Sequence, residues 1–200
     1  TLDALIDRLS VRLGADRDLG RGMRVFMDDR QAAADMTAHL IGLGHRRIGF
    51  VSGPDAYPAS RARREGYDQA LLAHGLVAEP DLVVEGDFTF ASGRRAGERL
   101  LASDRRPSAI FASNDDMALG VLNAAAALGV SAPGGVSVCG FDDTPSAMFS
   151  TPPLTTIRQP VAEMAAAATR MLLEAARDPD RTVEKVDYTL VERASTQPPG

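Results

Sequence analysis

Short apolar runs alternate with longer amphipathic stretches along most of this chain. The clearest case lies between Ser108 and Asp143. Ala109-Ile110-Phe111-Ala112 is an unbroken apolar run, the mark of a strand buried on both faces. Ser113 and Asn114 follow as turn and N-cap, and Asp115 and Asp116 put negative charge in the first helical turn, where the helix dipole favours it. Met117 to Leu128 is Ala-rich and predicts a helix that Gly129 stops. Pro133-Gly134-Gly135 makes a loop, and Val136 to Phe141 is a second buried strand. Two buried strands joined by a helix predict a parallel βαβ unit with a right-handed crossover.

The same alternation runs through the rest. Leu2, Leu5, Ile6, Leu9 and Leu13 fall on one face of a predicted helix over residues 1–13. A Gly-rich loop, 14–22, leads to a short strand, Arg24 to Met27, that ends on Asp28-Asp29. Gln31 to Leu43 predicts a helix, Ile48 to Val51 a strand, 61–74 a helix, Leu82 to Val84 a strand and Ala91 to Leu101 a helix. After Asp143 the pattern predicts a loop over 144–151, then an extended piece, Leu154 to Ile157. Pro160 suits the first helical position, Val161 to Ala176 predicts a helix, and Val186 to Val191 alternates as an edge strand. The order predicts an α/β fold, a doubly wound parallel sheet with helices on both faces. In such sheets ligands bind outside the carboxyl ends of the strands, which here carry Asn114-Asp115 and Asp142-Asp143.

Composition narrows the class. Hydrophobic residues are 44% and charged residues 24% of 200, ordinary for a soluble globular protein. A net charge of -5 argues against a nucleic-acid surface on this piece, because phosphate binding needs a basic face. The single cysteine, Cys139, rules out an internal disulfide framework and suits a reducing cytoplasm. No run approaches ~18 apolar residues, so no membrane span or membrane partner is expected.

Several groups invite a chemical reading and lose it on spacing. Gly42-Leu43-Gly44 follows a helix rather than a strand, so it reads as a helix stop and not a dinucleotide fingerprint. His39, His45 and His74 lie on or after helices without the acid or cysteine spacing of a metal site. No cofactor is implied. Asp142-Asp143 reads by residue type as a cap or turn as readily as a ligand contact, and only one of two adjacent carboxylates can face a cleft. Arg63, within SRARREGY, precedes Tyr67 by one helical turn and shares its side. Phe88 follows a strand end, where a large exposed ring must be covered. A ring, a guanidinium, an amide and a carboxylate converging on a cleft suit a polyol. No nucleophile–base pair stands among them, so binding is favoured over catalysis.

The runs HLIGLGHRRIGFVSG, RREGYDQAL, EGDF, PSAIFASNDDMALGVLNAAAALG, GGVSVCGFDD, PPLTTIRQP and LVERAST resemble the effector-binding domain of the lactose-repressor/galactose-repressor (LacI/GalR) transcription regulators. They occur in the family's order across residues 25–196. The resemblance implies a periplasmic-binding-protein-like pair of lobes, of which this chain holds one complete lobe plus part of a second. Residues 28–157 and 182–197 would form the C-terminal lobe, and 1–27 and 161–178 a remnant of the N-terminal lobe. The DNA-binding headpiece is expected to be absent from this N-terminally truncated piece.

By the same resemblance, effector contacts fall on Arg63, Phe88, Asn114 and Asp142, with Gln159 in a crossover segment and Tyr57 and Ala59 at loop positions that vary with ligand. Asp28-Asp29 stands where the family often has Asp-Asn, which leaves Asp29 unassigned. A homodimer is implied, along the 117–128 helix around Leu119 and Leu122 and the 144–151 loop with Met148. The implied function is a cytoplasmic, sugar-responsive repressor that is not an enzyme. A sugar or sugar phosphate binding between the lobes controls operator DNA binding allosterically, through the headpiece only. The alternative is a sugar-binding receptor of a periplasmic transport system, which the regulator-like PPLTTIRQP and ERAST segments weigh against.

Overall fold

A computed structural model describes residues 10–14, 23–103, 105–174 and 183–200. At its centre is a parallel sheet of β3 (Ile48–Ser52), β4 (Val83–Glu85), β5 (Ala109–Ala112) and β6 (Ser137–Cys139), in the order β4-β3-β5-β6. Phe50 lies beside Phe111, and Phe111 beside Cys139. The apolar runs make these strands because both sheet faces are covered. Phe50, Phe111 and Cys139 point into one core with helices α1 (Asp29–Gly42) and α2 (Pro58–Ala73). Val51, Ile110 and Val138 point into the other, with α3 (Phe90–Leu101) and α4 (Asp115–Ala127). From β3 the chain steps outward to β4 and then crosses to β5, so the strand order reverses between β3 and β5. The crevice at their carboxyl ends is therefore the expected ligand position.

A second parallel sheet joins β1 (Val11–Leu13), β2 (Met23–Phe26) and β8 (Val183–Lys185) in the order β1-β2-β8. Helix α6 (Val161–Glu174) lays Met164, Ala167 and Met171 into the same core as Met23 and Val25. An antiparallel ribbon, β7 (Thr156–Arg158) with β9 (Thr189–Val191), runs beside β6 through bridges Cys139–Thr155 and Asp142–Arg158. Caps fix where helices start: the side chains of Asp28, Thr89 and Asn114 accept from the backbone of Gln31, Ser92 and Met117.

Three expectations change. The helix over 1–13 rested on leucines that lie outside the described residues, except at its end. There Val11–Leu13 is a strand paired in parallel with Met23–Val25, because tertiary pairing overrides a short helical period. The 144–151 loop contains a short helix, α5 (Pro145–Phe149), with Pro145 at the first helical position. The edge strand predicted over 186–191 forms only as Thr189–Val191, and a separate strand just before it joins a different sheet. Val183–Lys185 pairs with Arg24–Phe26, and the Val186 amide donates to the Phe26 carbonyl at 2.8 Å. Residues 183–185, in the segment assigned to the C-terminal lobe, therefore sit in the same sheet as Met23–Phe26 of the 1–27 remnant. Alternation alone does not say which sheet a strand joins.

Candidate functional site

Arg63 leaves the second turn of α2 and is buried, as its spacing from Tyr67 requires. Its Nε donates to Asp29 Oδ1 at 2.8 Å, and Nη2 lies 2.7 Å from the same oxygen. Nη1 donates to the Ser113 carbonyl at 2.6 Å. The guanidinium carbon lies over the Phe141 ring, 3.7 Å from its centroid, a cation–π contact. Two helices and two strand ends thus aim one group. Nη1 also lies 3.9 Å from Asp142 Oδ1. That gap is too long for a hydrogen bond and wide enough for a hydroxyl that accepts from Arg63 and donates to Asp142.

The two acids after Phe141 diverge. Asp142 accepts from the Gln159 amide and faces Arg63. Asp143 turns the other way, to Arg158 Nε and Arg193 Nη2, each at 2.6 Å. Both take left-handed backbone, with φ 125° and 56°, and Phe88 does so at 66°. For non-glycine residues such conformations cost about 1–3 kcal/mol each and persist only where the surroundings enforce them. Here the Asp142 amide is fixed by the Ile157 carbonyl at 2.8 Å, and the Phe88 carbonyl by Asn114 Nδ2 at 3.0 Å. The backbone strain falls on three residues of the same rim.

Asn114 does two jobs. Its Oδ1 caps α4 through the Met117 amide, and its Nδ2 holds the Phe88 carbonyl. It adjoins Ser113, whose carbonyl Arg63 grips. The Phe88 ring is covered, as its position demanded. It rests on Gly53, where an added Cβ would come within 2.1 Å of the ring, and meets Tyr57 edge-on at 5.7 Å. Tyr57 is exposed and Ala59 half-buried in the first turn of α2. The structure therefore brings together Arg63, Asp142 and Gln159 as one group and Asn114, Phe88 and Tyr57 as a second, joined through Ser113-Asn114. Ala59 contributes position rather than a polar contact.

Asp29 and Phe141 are residues that sequence reasoning left out, and Asp115, expected at the strand end, plays a buried part that it did not foresee. Asp115 is buried beneath the rim. It accepts from the Thr144 amide at 2.7 Å, the Thr144 hydroxyl at 3.1 Å and the Thr156 hydroxyl at 2.6 Å, and so ties α4, the loop before α5 and β7 together. The only advance signal for Asp29 was an aspartate where an asparagine is common.

Burial pushes the Asp142 carboxyl up to about 6, against the pull of Arg63 and the Gln159 amide, with Asp115 and Asp29 adding to the push. Burial also raises Asp115, despite its three donors. Asp143 goes the opposite way: burial opposes ionisation, but Arg193 and Arg158 outweigh it. An acid raised in the fold stabilises most below its ordinary value, near 4, and loses that contribution as pH rises through about 6. Asp142→Asn is thus expected to be more stable than the parent at pH 7.5 by about 1–2 kcal/mol. The advantage should vanish towards pH 4. Urea unfolding at both pH values checks this, and a constant difference would contradict it.

A Ser–His hydrogen bond, Ser108 to His45 Nδ1 at 2.8 Å, lies at the opposite edge of the sheet, before β3 and β5. His45 Nε2 faces the Gln197 carbonyl at 2.9 Å, and burial lowers the ring's basicity. This pair anchors the C-terminal segment and has no reach to the rim. Cys139 is fully buried and its thiol is pushed well up, as a small core residue would be. Among the described residues, no three His, Cys, Asp or Glu side chains cluster to hold a metal, and no helix is long and apolar enough to cross a membrane.

Away from the cleft, an open groove of about 560 Å³ is lined by Phe90, Leu119, Leu122, Pro145 and Phe149. Leu122 is buried and Leu119 half-buried, whereas Met148 is 55% and Phe149 82% exposed.

Residues 37–196 match the family described as the periplasmic binding protein-like domain. The chain is 34% identical over 176 residues to the probable HTH-type transcriptional repressor ExuR of Bacillus subtilis (strain 168), a match spanning 88% of this chain and 53% of the relative. It is 40% identical over 150 residues to the HTH-type transcriptional repressor CytR of Escherichia coli (strain K12), spanning 75% and 44%. A crystal structure of a sugar-binding transcriptional regulator (LacI family) from Escherichia coli, complexed with phosphate, is similar with a TM-score of 0.88 and 33% identity. That match covers 99% of this chain and 73% of the other. The chain spans about half the length of the curated relatives it matches. These relatives are transcriptional regulators, not enzymes.

Proposed function

The chain belongs to the LacI family of transcriptional regulators, as its periplasmic-binding-protein-like effector domain, and from that premise we propose that it binds a sugar effector and transmits its presence to operator DNA. The observation that carries this reading is the 3.9 Å opening between Arg63 Nη1 and Asp142 Oδ1 at a topological switch point. A donor and an acceptor held that far apart, with Gln159, Asn114 and the Phe88 ring nearby, fit a polyhydroxylated ring better than an apolar ligand. Related regulators include one named as sugar-binding. The effector contacts are Arg63, Asp142, Asn114, Phe88 and Gln159, with Tyr57 and Ala59 shaping the mouth. The protein acts as a binding switch and not as an enzyme, in the cytoplasm beside its DNA. Residues 28–157 make up most of one lobe, and the sheet of β1, β2 and β8 with α6 belongs to the other. Effector seated between lobes favours one interlobe geometry, and that bias is what reaches the DNA-binding module.

The homodimer would form on the groove around Leu119, Leu122 and Phe149, with Met148 at its margin. Two neighbouring large apolar side chains this exposed, beside an apolar groove, suit an interface that water leaves.

The test uses the full-length protein and a labelled operator fragment. Titration with a panel of mono- and disaccharides should find one that changes operator affinity by roughly 5- to 150-fold, the usual range of allosteric coupling. Phe149→Asp should dissociate the dimer by sedimentation and weaken operator binding. A panel-wide absence of coupling, with a monomeric parent protein, would sink the reading.

A further inference from the structure

The charges around the cleft say what kind of effector it takes. Among the described residues, four cations around the cleft are held by carboxylates of the protein. Arg63 is held through Nε and Nη2 by Asp29. Arg158 and Arg193 share Asp143. Lys185 reaches Asp28 at 3.0 Å. Asp142 adds a further carboxylate to the same space, 3.9 Å from Arg63 and accepting from the Gln159 amide, and Asp115 adds negative charge buried beneath it. Arg61, at the start of α2, is turned to the Asp55 carbonyl.

A second observation points the same way. Helix N-termini are where α/β folds take up phosphates and carboxylates, because free N–H groups and the dipole attract anions. Two helices whose N-termini border the cleft, α1 and α4, open with aspartates of their own. Asp28 caps the Gln31 amide with Asp29 next to it, and Asp115-Asp116 fill the first turn of α4. At these two N-termini the positions a phosphate would occupy carry carboxylates of the protein.

We propose that the effector is an uncharged polyol and that Asp29 is a specificity-determining residue that keeps anionic sugars out. This rests on the proposed effector role of the cleft and narrows its ligand. Asp29 positions Arg63 and cancels its charge, so the guanidinium offers hydrogen bonds to a hydroxyl without net attraction for an anion. An asparagine there would keep an oxygen for Arg63 and leave only the more distant Asp142, at 3.9 Å, against the positive charge.

The experiment compares the parent full-length protein with Asp29→Asn by isothermal titration calorimetry. The probes are inorganic phosphate and matched pairs of glucose with glucose 6-phosphate and galactose with galactose 6-phosphate. The parent should prefer any neutral sugar it binds to its phosphate ester. Asp29→Asn should bind inorganic phosphate about tenfold more tightly than the parent, the shift expected from removing one negative charge within a few ångströms. Asp142→Asn, which leaves the Arg63–Asp29 pair intact, should move phosphate affinity in the same direction if Asp29→Asn does not fold. Tighter binding of a phosphate ester than of its parent sugar overturns the proposal and leaves the effector role standing. Equal phosphate affinity in the parent and the folded variant also overturns it. Binding of no sugar in the panel bears on the proposed function, and the phosphate comparison still decides the role of Asp29.

Discussion

Arg63→Ala should cost about 3–5 kcal/mol of folding stability and remove effector binding altogether. The size follows from what the guanidinium leaves behind. Its side chain is 7% and that of Asp29 4% exposed. Truncating one member of a buried pair strands the other charge without solvent, which is far more costly than the net worth of the pair. The Ser113 carbonyl loses its donor as well, and the Phe141 ring loses its cation. Arg63→Lys separates the two roles. A lysine keeps charge near Asp29 but has no planar fork to reach Asp29 and Ser113 together. It should recover more than half of the lost stability and none of the effector binding. Guanidinium unfolding and calorimetry on the same preparations read both. Full effector binding in Arg63→Lys would take Arg63 out of the site.

The difference between these two arginine variants also marks what a sequence can say about such a site. Arg63 was readable because one helical turn links it to Tyr67, and a helix period is a local rule. The buried runs at Ala109–Ala112 and Ile48–Val51 were readable for the same reason, since strands covered on both faces need no partner to be recognised. Asp29 was not readable as a partner. It meets Arg63 across 34 positions of chain, and only because α1 and α2 approach closely enough for Gly66 to lie against the Arg30 carbonyl. The positive φ at Phe88, Asp142 and Asp143 was equally hidden, because no glycine advertises it. Residues 183–191 show a third limit. Alternation announced a strand over 186–191, yet only Thr189–Val191 pairs with β7, while Val183–Lys185, which no pattern marked, joins the sheet of Phe26. Local pattern fixes the kind of element, while long-range pairing decides which charges and strands meet.

Close helix approach also sets the second large effect, at Gly93. In α3 an added Cβ there would fall 2.2 Å from the Met117 carbonyl oxygen and 2.4 Å from its Cα. The contact is mutual, for a Cβ on Gly120 of α4 would fall 2.2 Å from the Phe90 carbonyl oxygen. These neighbours are backbone atoms, so no side-chain rotation relieves the clash and the two helices must separate. Overpacking of this kind costs about 3 kcal/mol, against a helix-propensity gain of about 1 kcal/mol for alanine over glycine. Gly93→Ala should therefore lose roughly 2 kcal/mol, or about 4–8 °C in Tm. Gly42→Ala is the control: a Cβ there meets nothing within 4 Å, so the propensity gain stands alone and Tm should hold or rise. The consequence reaches function through α4. Asn114 caps that helix and holds the Phe88 carbonyl, and Met117, the residue Gly93 presses on, is the one whose amide Asn114 caps. Moving α4 outward pulls Asn114 off Phe88, so Gly93→Ala should weaken effector binding even at temperatures where it remains folded. Loss of stability with unchanged affinity would show that the rim does not depend on this crossing.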